Sequence, residues 1–459
     1  MDSSPRLPVT GRGVLEYNRL LVDNLSLDSR KLDILSRARE QALLIGICDA
    51  DEARISVQAH LDELRNLVET LGISAKKSIS LSLKSINPRY LIGNGKVDEL
   101  ARIIVDEEID LVVFDSDLSP AQQRNLENGW EVTVIDRQEV ILDIFAAGAS
   151  TREAVLQVSL ARMQYILPRL TRAWTHLSRQ RGGARGNRGK GETQLETDRR
   201  LVLNKIARLK GELEKLGDQR EIRRKRRVER PIPSASLVGY TNAGKSALLN
   251  SISDSDVLVR NKLFATLDPV TRRFELRDGR ELLITDTVGF IRKLPHGLIE
   301  AFKSTLEEAL HADVIFHVVD ASGGELDEHV RVTDGVLREL GAGNKKRILV
   351  LNKADKLSEH AREELCMRYP DGLLVSARSG EGIEALLKTF TGTLNADYPI
   401  VTLNLPPARW DLRARLHRES TVLSEKYSDE GLVIRARLNS REKSRLLAYV
   451  IDTDWTPGG

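Results

Sequence analysis

Eight consecutive residues, Gly239-Tyr240-Thr241-Asn242-Ala243-Gly244-Lys245-Ser246, hold a glycine, four variable positions and then Gly-Lys-Ser. Such a loop lets backbone N–H groups curl around phosphates, while its lysine reaches the β and γ oxygens and its serine hydroxyl ligates Mg²⁺. The context fits, because strand-like Ser236-Leu237-Val238 precedes the loop and a helical pattern opens at Lys245. Gly189-Lys190 is not a second copy: Ala184 stands where the first glycine belongs, and Gly191 replaces the Ser/Thr.

A phosphate cradle does not choose a base. Asn352-Lys353-Ala354-Asp355 follows the apolar run Ile348–Leu351, so it lies beyond the carboxyl end of an expected strand, where α/β sheets bind ligands. A carboxylate at Asp355 can accept from the N1–H and the amino group of guanine together, and adenine offers no such pair. Ser376-Ala377, with Arg378 beside them, can bring a backbone N–H to the guanine O6. Asp286-Thr287-Val288-Gly289 follows another strand-like run; Asp286 can hold Mg²⁺ through a water, and Gly289 lets its N–H approach a γ-phosphate. Phe264-Ala265-Thr266-Leu267-Asp268 reads as a switch segment in which Thr266 completes the Mg²⁺ shell. Lys245, Thr266 and Gly289 are the residues expected to carry catalysis. Phe290 stands where many GTPases have a water-orienting glutamine, and its ring has no donor or acceptor. Slow unaided hydrolysis is therefore expected.

The elements that position these residues follow from periodicity. Apolar runs alternate with helical patterns over Asp28–Arg137 and again over Ser234–Leu394, the signature of parallel α/β sheets. Ser119-Pro120-Ala121-Gln122 is an expected helix start with a capping box. Ile92-Gly93-Asn94-Gly95-Lys96 reads as a tight turn rather than an anion cradle. Between the two α/β regions, Leu156, Leu160, Met163 and Leu167, and then Val202, Ile206, Leu209, Leu213 and Leu216, recur at spacings of three and four. Two helices packed side by side are expected, joined by the Gly/Arg segment Arg179–Gly191. From Ile400 a smaller α+β module is expected. The division is 1–150 as an N-terminal α/β domain, 151–230 as a helical hairpin, 231–396 as a GTP-binding domain and 397–459 as the α+β module.

Composition narrows the class. The chain has 459 residues, 41% hydrophobic and 30% charged, which fits a folded multidomain protein. No apolar run is long enough to span a membrane, and Met1–Asn18 has no apolar signal core. Cys48 and Cys366 are too few for a disulfide framework, which fits a reducing compartment. The net charge of +3 hides an asymmetry: Arg169–Arg230 holds 20 Lys and Arg against 8 Asp and Glu. A basic island on an acidic body suggests a polyanion, with Arg181, Arg185, Arg188 and Lys190 as candidate RNA contacts.

The four nucleotide elements, in this order, resemble those of translation-factor-class GTPases. Gly191–Arg200 (GETQLETDRR), Trp174–Leu177, Phe264–Asp268, Leu118–Leu126 and Asp143–Ala146 narrow the resemblance to the HflX family, over about Leu43 to Ala377. Lys190 and Ala184 differ from the family pattern, which has Pro and a larger aliphatic there. The resemblance implies a cytoplasmic GTPase that takes GTP to GDP with Mg²⁺, binds the large ribosomal subunit and its rRNA, and separates stalled ribosomes. It also implies that the hairpin loop enters the peptidyl-transferase region. A monomer is expected. Two alternatives stay open: a ribosome-assembly GTPase, and an RNA-binding protein with GTP as a structural ligand. An ATP-dependent kinase is disfavoured by Asn352 and Asp355.

Overall fold

The computed structural model describes residues 40–48, 54–83, 85–170, 188–227, 232–253, 264, 269–276, 281–293, 311–397, 399–428, 431–438 and 440–453. The chain forms two compact units, one of residues 1–215, 260–268 and 292–303 and one of 216–259, 269–291 and 304–459.

In the first unit β1 (Gln41–Cys48), β2 (Ser74–Ser82), β3 (Leu111–Phe114) and β4 (Thr133–Asp136) make an all-parallel sheet in the order β2-β1-β3-β4. Residues 42–45 and 111–114 are buried, as continuous apolar runs in a sheet covered on both faces must be. The connecting helices are α1 (Arg54–Thr70), α2 (Asn94–Asp106) and α3 (Pro120–Trp130), with α4 (Arg137–Gly148) after β4. The expected capping box forms: Ser119 Oγ accepts from Gln122 N at 3.3 Å, and Gln122 Oε1 accepts from Ser119 N at 2.9 Å. Ile92–Lys96 departs from the sequence reading. Gly93 is the N-cap of α2 and Asn94 its first residue, so the segment is a helix entry. The strand β2 has no apolar run to announce it, because it is an edge strand in which only Leu81 is buried.

The carboxylates at the carboxyl ends of β3 and β4 are held inside this unit. Asp115 accepts from Arg137 and Arg292, each at 2.8 Å, and Arg137 also reaches Glu63 at 2.5 Å. Burial would raise the Asp115 carboxyl, but Arg137, Arg292 and Lys293 together hold it below its ordinary value. Asp136 caps α4 by accepting from Glu139 N at 3.0 Å, and it also binds Arg169 at 3.0 Å and the Tyr165 hydroxyl at 3.0 Å. Arg169 lies at the end of α5 (Arg152–Leu170), so this contact ties the end of that helix to the sheet.

Leu156, Leu160 and Met163 of α5 are buried, as are Val202 and Leu209 of α6 (Arg188–Arg227). Arg152, at the start of α5, pairs with Glu212, well along α6, at 3.4 Å, as antiparallel neighbours do. Arg188 and Lys190 fall in the first turn of α6; Arg181 and Arg185 lie outside the described residues.

In the second unit β5 (Ser234–Gly239), β6 (Val270–Glu275), β7 (Glu281–Asp286), β8 (Val314–Asp320), β9 (Arg347–Asn352) and β10 (Leu373–Leu374) form a sheet in the order β10-β9-β8-β5-β7-β6. All pairs are parallel except β6 with β7, and β6 has no counterpart in the sequence pattern. Helices α7 (Lys245–Ser253), α8 (Leu326–Glu339), α9 (Glu359–Arg368) and α10 (Ile383–Asp397) alternate with the strands. The core gathers Leu237, Leu248, Ile284, Phe316, Val350 and Phe390.

The last strands, β11 (Ile400–Leu405), β12 (Thr421–Ser428), β13 (Gly431–Arg437) and β14 (Val450–Thr453), form an antiparallel sheet in the order β12-β13-β11-β14. With α11 (Trp410–Glu419) and the short α12 (Ser440–Arg445), the order is β-α-β-β-α-β, the ferredoxin-like arrangement. Leu412 and Leu416 of α11 share a core with Leu403, Leu405 and Ile434. Among the described residues, no helix is long and apolar enough to cross a membrane.

Candidate active site

Strand β5 is central, with β8 on one side and β7 on the other, and the loop from Gly239 to Lys245 leaves its carboxyl end. The neighbouring strand ends deliver Asp286, Asp320 and Asn352. This is the crevice where an open α/β sheet binds its ligand.

Gly244 has φ +90°, and a Cβ there would stand 2.3 Å from Asn352 Nδ2. That amide donates to Ala243 O at 2.8 Å, and Asn352 Oδ1 accepts from Ala377 N at 3.1 Å. One buried side chain thus joins the phosphate loop to the turn after β9 and to the Ser376-Ala377 segment. Lys245 is buried, and its Nζ donates to Gly239 O at 3.1 Å and Tyr240 O at 3.0 Å. Burial pulls its pKa down to about 8, with Asp286 pulling the other way.

Asp286 accepts from the Ser246 hydroxyl at 2.6 Å. A serine hydroxyl beside a carboxylate is a hard oxygen donor set, which suits Mg²⁺, so the residues present fit that ion. Thr287 Oγ1 donates to Leu237 O at 2.7 Å, and Val288 is buried; both side chains serve packing. Gly289 lies against the phosphate loop: a Cβ there would meet Thr241 Cγ2 at 2.9 Å and Lys245 Nζ at 3.0 Å. The next residue continues the contact, since Phe290 N donates to Gly239 O at 3.0 Å and Thr241 N to Phe290 O at 2.7 Å. The Phe290 ring is 1% exposed, so it is packed inside the fold, and it has no polar atom to hold a water. Phe264 sets its ring on Phe145 in the first unit, centroids 4.5 Å apart, while Ala265, Thr266, Leu267 and Asp268 lie outside the described residues.

In the turn after β9 Asp355 is exposed, and its Oδ1 accepts from the Ser376 hydroxyl at 2.7 Å. That hydrogen bond holds the Asp355 carboxyl below its ordinary value. In the ligand-free chain Ser376 N donates to Glu381 O and Ala377 N to Asn352 Oδ1, so both N–H groups have partners within the protein. A guanine O6 reaching Ala377 would share that N–H with Asn352. Arg378 is exposed beside them. Lys353 has φ +64°, and its Nζ donates to Asp320 Oδ2 at 2.6 Å. Burial raises the Asp320 carboxyl, and the bonds from Lys353 and Ser322 bring it below its ordinary value. Asp320, Arg362 and Glu381 escape the sequence reading. For Asp320 a signal existed, a carboxylate at the end of an apolar strand; for the other two there is none.

A strand–loop–helix phosphate cradle joined by one asparagine to an N-K-x-D turn defines a P-loop GTPase. Three family models match the chain in series: GTP-binding GTPase N-terminal at residues 58–146, GTP-binding GTPase Middle Region at 148–227, and 50S ribosome-binding GTPase at 234–353. The GTPase HflX of Akkermansia muciniphila is 46% identical over 426 residues, covering 90% of this chain and 97% of its own. That of Escherichia coli K12 is 42% identical over 400 residues, covering 86% and 92%. A solved GTP-binding protein of Sulfolobus solfataricus in complex with GDP is 25% identical over 77% of this chain and 98% of its own, with a TM-score of 0.41. The chain belongs to the HflX family of GTPases, and its activity is GTP hydrolysis.

Proposed function

We propose that this GTPase binds the large ribosomal subunit and uses a GTP-dependent conformational change to split or rescue stalled ribosomes. The observation that carries the conformational part is the seating of Gly289 and Phe290 on the phosphate loop. A γ-phosphate held by Lys245 needs the space beside its Nζ, so GTP and GDP must leave this segment in different positions. The ribosomal part is supported by the description of the family model matched at residues 234–353 and by the basic run holding Arg181, Arg185, Arg188 and Lys190. In this reading the four segments divide at 150, 230 and 396, as the sequence pattern suggests.

Ser246 and Thr266 would ligate Mg²⁺ directly, with Asp286 acting through a water. When bound, the ion supplies charge neutralisation on the β and γ oxygens. Lys245 binds the same oxygens, Gly289 offers its N–H to the γ-phosphate, and Asp355 selects guanine. Phe290 brings no polar group, so transition-state stabilisation waits on the bound ribosome. Groups supplied in trans are worth about 10³–10⁵ in rate in GTPases that use an arginine finger. The protein acts as a monomer, in the cytoplasm where ribosomes are.

Co-sedimentation with isolated subunits tests this reading: retention by the large subunit with a non-hydrolysable GTP analogue and release with GDP are expected. Light scattering of intact ribosomes should fall on addition of protein and GTP. Equal retention whatever the nucleotide would sink the proposal. Subunit binding without loss of scattering would point to an assembly role, and hydrolysis unaffected by subunits to GTP as a structural ligand.

A further inference from the structure

The turn that carries Asp355 and the loop that carries Ser376 are separated by α9 and β10, yet they are tied by one side chain of α9. Arg362 Nη2 donates to Ala354 O at 2.7 Å, one residue before Asp355. The same nitrogen donates to Glu381 Oε2 at 3.1 Å, and Nη1 donates to Glu381 Oε1. Glu381 closes the loop on its other side, because its carbonyl accepts from Ser376 N at 2.9 Å and Gly380 N donates to Ser376 O at 2.9 Å. Ser376 Oγ then donates to Asp355 and accepts from Ser379 N at 3.1 Å. The contacts form a closed ring: Asp355, Ser376, Glu381, Arg362, Ala354 and back to Asp355.

We propose that Arg362, acting with Glu381, is a positioning residue for guanine discrimination, holding the Asp355 carboxylate where it can accept from both N1–H and the exocyclic amino group. The inference rests on the reading of Asp355 as the guanine acceptor. A planar guanidinium suits the task, since its forked donors engage one carboxylate with two nitrogens while one of them also meets a carbonyl. An ammonium at this position has no such fixed fork. The pair is partly exposed, so its attraction alone adds little to stability. Its effect lies in direction: two oxygens of one carboxylate must meet two donors of one base edge, and slack in either loop misaligns the second bond first.

The test compares GDP with IDP, whose base keeps N1–H and lacks the amino group. Fluorescent-nucleotide displacement on the full-length protein gives both affinities. Arg362→Ala is expected to lower the GDP-over-IDP preference by about three- to tenfold, the scale of one net hydrogen bond. Glu381→Ala should do the same, and the double variant should be no worse than either single, because one linkage is removed in each. Arg362→Lys should lose part of the preference, and it serves where the alanine variant fails to fold. Equal losses for GDP and IDP, leaving the preference unchanged, would show a merely structural tie and overturn the proposal. So would additive losses in the double variant. Asp355→Asn runs alongside as the reference. If it retains the preference, the guanine reading fails and the inference with it. If it abolishes the preference while the Arg362 variants keep theirs, only the inference falls.

Discussion

Two sheets in this chain, one all-parallel and one parallel but for β6, present polar groups at the carboxyl ends of their strands, and the groups meet different fates. In the first unit Asp115 and Asp136 are enclosed by Arg137, Arg292 and Arg169, so each charge has its partner within the fold. In the second unit Asn352 is a spacer between loops, Lys353 and Asp320 hold each other, and Asp355 keeps an exposed carboxylate outward. A rim whose carboxylates are paired with arginines of the same unit serves as a structural knot. A rim built from backbone N–H groups, one lysine and an exposed carboxylate stays able to exchange those groups for a ligand. The same architecture gives either outcome, and side chains on neighbouring elements decide which.

The sharpest way to break this contrast is Asp355→Asn. Replacing an acceptor by an NH₂ group leaves the guanine amino group facing a donor, a kind of mismatch that costs roughly 10⁴–10⁵ in discrimination. GTP affinity should collapse and XTP affinity appear, while the thermal midpoint stays near the parent's because the side chain is exposed. Nucleotide titrations with both triphosphates check it. In the first rim the expectation reverses. Arg137→Leu leaves buried Asp115 with only Arg292 and Lys293 and takes the half-buried Glu63's nearest partner, a loss of up to about 3–5 kcal/mol, the scale of a broken buried ion pair. Denaturant unfolding should show that loss, with GDP affinity close to the parent's.

A smaller effect is expected at Gly289→Ala, whose methyl would press on Thr241 and Lys245. Alanine keeps the N–H but shifts it, and losing a positioned donor to a developing charge typically costs about 10²–10³ in rate. Single-turnover hydrolysis should slow by up to that factor while GDP affinity changes little; equal losses in both would argue against the γ-phosphate role. Smallest is the pH response of Lys245. Its pKa in the nucleotide-free protein is about 8, and bound phosphates raise it. Affinity from this group is therefore fully present below pH 8 and is lost as pH rises through that value toward the bound-state pKa. GDP should bind about tenfold more weakly at pH 9 than at pH 7, one unit above the free pKa being worth about 1.4 kcal/mol. A flat profile over that range would show that the lysine is not titrating.

Much of the second unit is legible because its chemistry is contiguous. G-x-x-x-x-G-K-S, D-T-V-G and N-K-A-D are short runs of adjacent residues, and each follows an apolar strand that places it. The buried strands of both sheets are legible for the same reason: burial on both faces demands an unbroken apolar run. Edge strands β2 and β6 carry no such run. The start of α2 is hidden because Ile92-Gly93-Asn94-Gly95-Lys96 has the composition of a turn, and only the hydrogen bonds beyond Gly93 make it a helix.

By itself the sequence determined the P-loop, the N-K-A-D turn, the basic run between two apolar-seamed helices and the likeness to HflX, since each is written in adjacent residues or a regular spacing. Tertiary structure alone decided that Asn352 would fill the space that Gly244 leaves open and that the Ser376 and Ala377 N–H groups would be engaged inside the protein. It also decided that Arg362 would meet Glu381, and that Asp115 would be enclosed by arginines 22 and 177 residues away. These are pairings of charges and donors across distant segments. No local pattern encodes them, because a side chain's partner is set by where the fold brings its neighbours.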